Sequence, residues 1–492
     1  MNPSEIDAIR TALTAADYTT DAVLERLGSH GQSGLGRNTT VPADEALAGA
    51  MDAQATLIRL WLLQQPVPAD ALACFDEDAV AALHDQGLLT TTGALTRAEV
   101  DLRPYGSPDD GASGWVVSDV TPGLDHAVTP TRPDFVLGVS PASTTLAQIT
   151  MRTPVASALD LGTGCGVQSL HLSRHAERVV GTDVNERALD CARLGTALSG
   201  ADVDLRTGSL YEPVDADTFD LIVTNPPYVM SPPSGERLTY RETGFTGDAL
   251  TEAVIRQAPA HLNPGGSLQV LTNWANIGDD AWEHRLRGWV EPGGCDAWII
   301  ERERLDVYSY IEMWLADAGL AGSPQWRSDY DRWLRYFEGL GITSVGMGWV
   351  LLTNAGRSRP HVSIESWPHA VHQPVGDAFA RHAATVDALQ MADADLLRRA
   401  LRLRPDVTQE AIGEPGAADP SHIVLRSATG LRRAMQVDTF AAAVLGACDG
   451  ELPLGVLAQT VGQLLDMPTD AVVDVVMPQV REAVWNQLLD AL

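Results

Sequence analysis

Apolar residues along the chain fall into two rhythms, and the rhythm changes twice. Up to about residue 125 the spacing is mostly helical. Leu57, Ile58, Leu60, Trp61, Leu62 and Leu63 make one run, and Val80, Ala81 and Leu83 make another ahead of Gly87. Residues 88–90 and 93–96 then read as two short strands about a turn, so helices followed by a winged-helix-like hairpin are expected here. The stretch 106–111, with two glycines and a proline, reads as a loop.

Between about 126 and 375 short apolar runs alternate with helical stretches. The runs at 155–161, 178–183, 203–206, 219–224 and 267–272 read as strands, and 186–198 and 250–262 as helices. Such alternation predicts an α/β fold with a parallel sheet covered on both faces. Two later runs, 297–300 and 345–352, close it as a seven-stranded, Rossmann-like sheet. The residues between them, near 304–344, hold Tyr308, Tyr310, Trp314, Trp326, Tyr330, Trp333 and Tyr336. That is too long for a bare loop, so helices of its own are predicted, mostly core, with a lid over the site as the alternative. From 376 the pattern is helical again, with helices expected at 441–445, 454–465 and 472–480. The division is therefore 1–125 (mainly helical, winged-helix-like), 126–375 (α/β) and 376–492 (mainly helical, again possible as a winged helix). A chain of 492 residues exceeds what one hydrophobic core usually serves, which agrees with several domains.

Charge narrows the partners. The 34 basic residues, all arginines, face 65 acidic ones, for a formal net charge of -31. Either a GC-rich codon bias or a saline habitat produces a lysine-free chain. So acidic a surface repels phosphate backbones at long range, which excludes undirected nucleic-acid binding but leaves room for a local arginine groove. Cys74, Cys165, Cys191, Cys295 and Cys448 lie far apart without a CxxC pair, as suits a reducing cytoplasm. No basic and apolar leader opens the sequence, and no uncharged run approaches the ~18 residues that span a bilayer. A soluble cytoplasmic protein is expected.

The first candidate site follows the 155–161 run. Asp160 and Leu161 lead into Gly162, Thr163, Gly164, Cys165 and Gly166, and a helix starts near Val167. Glycines allow a backbone to approach a ligand that side chains would block. The next run closes on Asp183, which is placed to accept both ribose hydroxyls of a nucleoside. Asp160 would orient the glycine loop or reach a ligand ammonium through water. In the plainer alternative, both acids cap the helices that follow them.

The second candidate site is the tetrapeptide Asn225, Pro226, Pro227, Tyr228, directly after the 219–224 run. Ligands of open α/β sheets sit beyond the carboxyl ends of the strands, so the tetrapeptide faces the glycine turn. An amide or aryl-amine nitrogen is a poor nucleophile because its lone pair is delocalised. Accepting hydrogen bonds from both of its N–H groups frees that lone pair, and the Asn225 side-chain oxygen and Pro226 carbonyl are two such acceptors. The prolines fix φ and hold these oxygens in place beforehand, while Tyr228 offers a flat face to a planar group. No general base is required; positioning carries the chemistry.

These two motifs together resemble the NPPY class I methyltransferases, most nearly the HemK/PrmC-like enzymes of the methyltransferase small-domain family. The resemblance spans about 132 to 275. It includes Asp134 to Leu137, the glycine turn, Asp183, the tetrapeptide, Gly247 to Leu250, and Leu262 to Gly266. It implies S-adenosylmethionine as cofactor, with Gly162, Gly164 and Asp183 contacting it and Asn225 and Tyr228 holding the target. The departures are specific. Thr207, Gly208, Ser209 and Leu210 stand where relatives carry an acid for the adenine amino group, so Ser209 or the Leu210 backbone must substitute. Ser140 to Thr144 replaces the charged motif of the release-factor enzymes. The implied reaction is methyl transfer to a planar amide or exocyclic amine nitrogen. A protein glutamine is the first candidate acceptor, a nucleobase in RNA or DNA the runner-up, and an inactive cofactor-binding adaptor the third reading.

Elsewhere, His361, His369 and His372 have no cysteine or carboxylate at ligand spacing, so no metal site is expected. Arg398, Arg399, Arg402 and Arg404 read as a solvated helix face opposite Asp393 and Asp395, with a basic patch that touches RNA as the alternative. If the tail is a winged helix, Asp449, Glu451, Asp466, Asp470 and Asp474 speak against duplex binding.

Overall fold

The computed structural model describes residues 1–127, 132–233, 245–278, 281–415 and 420–491. Asn2 opens α1 (Pro3–Ala15) with a reciprocal capping box, its side chain accepting from the Glu5 N–H while Glu5 accepts from the Asn2 N–H. α2 (Thr20–Leu35) and α3 (Val41–Ala46) follow. α4 (Ala53–Leu57) is capped by Asp52 and extended by a π turn, Ile58–Leu62. Then come β1 (Val67–Pro68), a 3-10 turn (Ala69–Leu72), α5 (Glu77–Asp85), β2 (Leu89–Thr92) and β3 (Leu95–Ala98). β3 lies between β1 and β2, antiparallel to both. Helix, strand, helix, helix, strand, strand in this pairing is a winged-helix order, with α5 in the place of a reading helix. β4 (Val100–Gly106) and β5 (Ser113–Asp119) make a separate hairpin about the expected loop.

The α/β sheet is built from α6 (Pro141–Ile149), β6 (Val155–Leu161), α7 (Val167–Leu172), β7 (Ala176–Asp183), α8 (Glu186–Leu198), β8 (Asp204–Thr207) and β9 (Phe219–Thr224). It continues through α9 (Ala249–Gln257), β10 (Leu262–Ile277), α10 (Trp282–Val290), β11 (Asp296–Asp306), α11 (Val307–Asp317), α12 (Trp326–Leu340), β12 (Ile342–Thr353) and β13 (Val362–Ser366). The strand order is β13-β11-β12-β10-β9-β6-β7-β8. Neighbours are parallel except that β12 runs antiparallel to β10 and β11. The seven expected strands are thus joined by an eighth, β13, whose two apolar residues, Val362 and Ile364, are too few to show a period. Leu159, Val180, Phe219, Ile222, Leu268 and Val270 are fully buried and form the middle of the core. The aromatic insertion is the helix pair α11–α12.

Contacts group the chain into two compact units, one of Met1–Ala147, Pro154–Ser358 and Val362–Ser366, the other of Gln148–Thr153, Arg359–His361 and Trp367–Leu492. The hydrophobic pattern divides the chain near 125, but long-range contacts join the N-terminal region to the sheet. The Trp115 N–H donates to Ser199 Oγ at 2.9 Å, and Gly195 lets α8 approach the Trp115 carbonyl closely. Arg10 donates to the carbonyls of Ala197 and Leu198 at 2.7 and 2.9 Å, at the negative end of α8.

The second unit contains α13 (Gly376–Gln390), α14 (Asp393–Leu396), β14 (Ala400–Leu403), β15 (Val407–Ile412), β16 (His422–Ser427), β17 (Ala434–Val437) and α15 (Thr439–Gly446). β18 (Asp449–Pro453), α16 (Leu454–Leu464), α17 (Thr469–Trp485) and β19 (Leu489–Ala491) complete it. The three expected helices are α15, α16 and α17, joined by two three-stranded sheets that the pattern did not predict. β14 lies between β18 and β19, antiparallel to both. The order α15-β18-α16-α17-β19 therefore repeats the N-terminal winged-helix arrangement, with the middle strand supplied from earlier in the chain. The arginine run is not one helix face. Arg398 pairs with Asp395, Arg402 lies in β14 and donates to the Asp449 carbonyl, and Arg404 pairs with Asp406. Among the described residues no helix is long and apolar enough to cross a membrane.

Candidate active site

The loop after β6 passes through Gly162, Gly164 and Gly166 with φ of +77°, +54° and +83°, a region side chains other than glycine rarely adopt. A Cβ at Gly162 or Gly164 would project into open space, whereas one at Gly166 would lie 3.1 Å from the Ala192 Cβ. The first two glycines thus open a cavity and the third lets α8 pack against the turn. The cavity has a volume of about 370 Å³ and lies beyond the carboxyl ends of β6, β7 and β9. Asp160, Gly162, Thr163, Gly164, Asp183, Ser209, Leu210 and Asn225 all line it, as do Pro226 and Pro227; Gly166 and Tyr228 do not. Leu210 reaches its place with a φ of +49°.

Asp160 and Asp183 are the charged groups among the described lining residues. Asp160 Oδ2 accepts from Thr163 Oγ1 at 2.6 Å and Ser169 Oγ at 2.7 Å. Burial lifts its pKa to about 6, the two hydroxyls oppose that, and the nearby Asp183 charge adds to it. Asp183 accepts from the Gly164 N–H and the Asn185 N–H, each at 2.9 Å. Its pKa is also raised by burial, against those two N–H groups. Both acids therefore hold local backbone or hydroxyl donors and also border the cavity.

Two walls of the cavity are tied to the N-terminal hairpin. Asp119, at the end of β5, accepts from the Val136 N–H at 2.8 Å and pairs with Arg187 in the first turn of α8. His171 on α7 lies between Asp110 at 2.7 Å and Tyr105 at 2.6 Å. The helices flanking the glycine turn are thus held from outside the sheet.

The tetrapeptide side differs. Thr224 Oγ1 donates to the Leu161 carbonyl at 2.7 Å, fixing the end of β9 to the end of β6. Asn225 Oδ1 is buried and has no hydrogen-bond donor among the described residues. Tyr228 meets Trp314 of α11 edge-on, with ring centroids 6.3 Å apart, and burial raises its phenol pKa. Tyr310 Oη accepts from the Met230 N–H at 3.1 Å and from Asn273 Nδ2 at 2.9 Å. Asn273 Oδ1, like that of Asn225, has no donor among the described residues. A buried unpaired oxygen costs about 1–3 kcal/mol, so such atoms mark places where a ligand N–H is welcome.

Asn273, Trp314 and Asp119 were not singled out as site residues by the motifs. The one available signal for Asn273 was its position three residues beyond Val270, the partner of Thr224, where an apolar strand turns polar. Trp314 was visible only as part of an aromatic-rich stretch. Asp119 gave no signal at all, since its partners Val136 and Arg187 are distant in sequence.

The region that carries this site is similar to known proteins. Residues 138–278 match the family described as the methyltransferase small domain, and residues 15–99 match a domain of unknown function, DUF7059. The release factor glutamine methyltransferase of Geobacter sulfurreducens is 34% identical over 192 residues, which cover 36% of this chain and 64% of that protein. The ribosomal RNA small subunit methyltransferase C of Alcanivorax borkumensis is 32% identical over 130 residues, covering 26% of this chain and 36% of that one. The ribosomal protein uL3 glutamine methyltransferase of Bradyrhizobium diazoefficiens is 34% identical over 128 residues, covering 24% and 40%. The chain thus spans less than two thirds of the length of each of these relatives. Glycine turn, acidic strand end, strand order and family match converge on the central part of this chain: residues 138–278 match the methyltransferase small domain and are similar to glutamine and ribosomal RNA methyltransferases.

Proposed function

We propose that the protein is an S-adenosylmethionine-dependent N-methyltransferase whose acceptor is a planar primary amide, a protein glutamine. The observation that carries this reading is Asn225 Oδ1, buried and without a donor among the described residues, while Asn225 lines the same cavity as Asp160 and Asp183. A class of ligand that is cationic and nucleoside-based suits that cavity. Its charged lining is acidic, its glycines leave room for the ligand backbone, and Phe135, Val136, Leu137 and Val184 supply an apolar wall.

S-adenosylmethionine, when bound, supplies a methyl group to a nitrogen nucleophile, with S-adenosylhomocysteine and a proton as the other products. Asp183 keeps lone pairs for the ribose hydroxyls beside the two backbone donors it already holds. Ser209 and Leu210 stand at the adenine end in place of an acid. Asn225 Oδ1 and the Pro226 carbonyl accept the two N–H groups of the amide, which localises the nitrogen lone pair. Pro226 and Pro227 hold these oxygens fixed, so no reorganisation accompanies the reaction. Water takes the released proton.

Protein is favoured over nucleic acid by charge. Among the described residues no arginine lines the cavity, and the chain carries a net charge of -31. The reading-helix position of the N-terminal winged helix is filled by α5, which bears Glu77, Asp78 and Asp85 and repels phosphates. Two of the relatives named above act on glutamines and one on ribosomal RNA, so both acceptors enter the test. Radiolabelled methyl transfer into cell extract is compared between wild type and Asn225→Ala, with protease and nuclease fractionation. Asn225-dependent label in the protease-sensitive fraction is expected; label in the nuclease-sensitive fraction would replace glutamine by a nucleobase. The five free cysteines fit our placement of the protein in a reducing cytoplasm.

A further inference from the structure

α11 leaves the sheet directly from β11, and Tyr310 and Trp314 stand one helical turn apart on the same face. That face meets the tetrapeptide. Trp314 is edge-on to Tyr228 (6.3 Å, 70°) and to Tyr310 (6.1 Å, 67°). Tyr310 Oη accepts from the Met230 N–H, two residues past the tetrapeptide, and from Asn273 Nδ2 on β10. Behind these rings Trp333 and Phe337 of α12 pack with Val229 and Met230 in one buried cluster. A helix pair that only filled space would leave the polar contacts to others. Here its two conspicuous aromatic side chains are aimed at the residues beside Asn225.

The chemistry of the corner is selective. Two rings at a steep angle offer one face and one edge, the fit for a small flat group whose faces are π surfaces and whose rim carries N–H and C=O. Burial raises the Tyr228 phenol pKa, and the carboxylate of Asp317 at the end of α11 adds to the shift.

Resting on the methyl-transfer reading above, we propose that Trp314 and Tyr228 form an aromatic notch that receives the planar carboxamide of the acceptor side chain, with Tyr310 as the positioning residue that holds the chain leaving the tetrapeptide.

The test uses the full-length protein and label incorporated into the protease-sensitive fraction, measured against the concentration of that fraction. Trp314→Ala is expected to raise the apparent KM for acceptor by about tenfold or more, with S-adenosylmethionine affinity by calorimetry within about twofold of wild type. Trp314→Phe keeps an aromatic ring and is expected to recover most of that loss. Tyr310→Phe keeps the ring but removes the acceptor oxygen, so kcat should fall about fivefold with little change in KM. The cofactor affinity of each variant reports that the fold is intact. An unchanged KM in Trp314→Ala, or a Trp314→Phe no better than Trp314→Ala, would overturn the notch. Label that depends on Asn225 but not on Trp314 would remove the notch alone. Equal label from wild type and Asn225→Ala would remove the methyl-transfer reading, and the notch with it.

Discussion

The two halves of the cleft are built on opposite plans. On the glycine-turn side the polar groups are already engaged: Asp160 holds two hydroxyls, Asp183 holds two backbone N–H groups, and Asp119 ties the surrounding walls. On the tetrapeptide side the side-chain oxygens of Asn225 and Asn273 lack donors among the described residues, and aromatic rings make the walls. On the proposed function, the difference separates a half preorganised for a cofactor of constant shape from a half that waits for the reacting amide. A site whose acceptors are already oriented by local donors binds by shape, charge and the lone pairs those donors leave over. A site with buried, unpaired acceptors gains most when a donor arrives, and that gain is largest at the transition state.

The comparison is broken most directly at Asn225. Asn225→Ala is expected to lower methyl transfer by roughly 10²–10³-fold, as loss of a preorganised transition-state contact does, while cofactor affinity by calorimetry stays near wild type. A large loss of cofactor affinity instead would make Asn225 part of the other half. Next in size is Asp183→Ala, which removes hydrogen bonds to a charged group. Cofactor binding should weaken by roughly 30–100-fold, read by titration calorimetry.

Asp160 sharpens the comparison through pH. With a pKa raised from 3.8 to about 6, its carboxyl is protonated below that value in the empty protein, and a cationic ligand must displace the proton. The dissociation constant for S-adenosylmethionine should therefore fall as pH rises towards 6, by up to about tenfold per unit, and then level. Asp160→Asn should flatten that part of the profile. The same raised pKa makes stability fall as pH climbs from about 4 to 6, since the folded state holds the proton more tightly than the unfolded one. A wild-type profile flat across this window would show that the carboxylate is not felt by the ligand.

The smallest effect is expected furthest from the chemistry. Asp119→Ala leaves Arg187 without its partner and the Val136 N–H without an acceptor. Thermal or denaturant unfolding should report about 2 kcal/mol of lost stability. Cofactor affinity should drop only several-fold, because the walls are displaced rather than removed. An unchanged affinity would separate the hairpin from the cofactor half altogether.

Much of the site was legible because it is local. A glycine turn, an acid at a strand end and an Asn-Pro-Pro-Tyr string each occupy a few consecutive residues, and their spacing along alternating strands and helices implies one cavity. β6, β9 and α8 fall at the expected residues, 155–161, 219–224 and 186–198, because their apolar runs are clean. β13 and the six strands of the second unit were not legible, being short and without a period. What joins them is pairing between distant segments, as when β14 slots between β18 and β19.

By itself, then, the sequence determined the chemistry on offer: the α/β class, the glycine turn and the two acids beside it, and the tetrapeptide. Periodicity and short motifs are properties of neighbouring residues, and neighbours suffice to set them. Only the tertiary structure decided which polar atoms are already satisfied and which are left open. It showed Asp160 and Asp183 engaged, Asn225 Oδ1 and Asn273 Oδ1 without donors among the described residues, and the aromatic helix α11 beside Tyr228. Those facts depend on contacts between segments far apart in the chain, made by packing that no local pattern encodes.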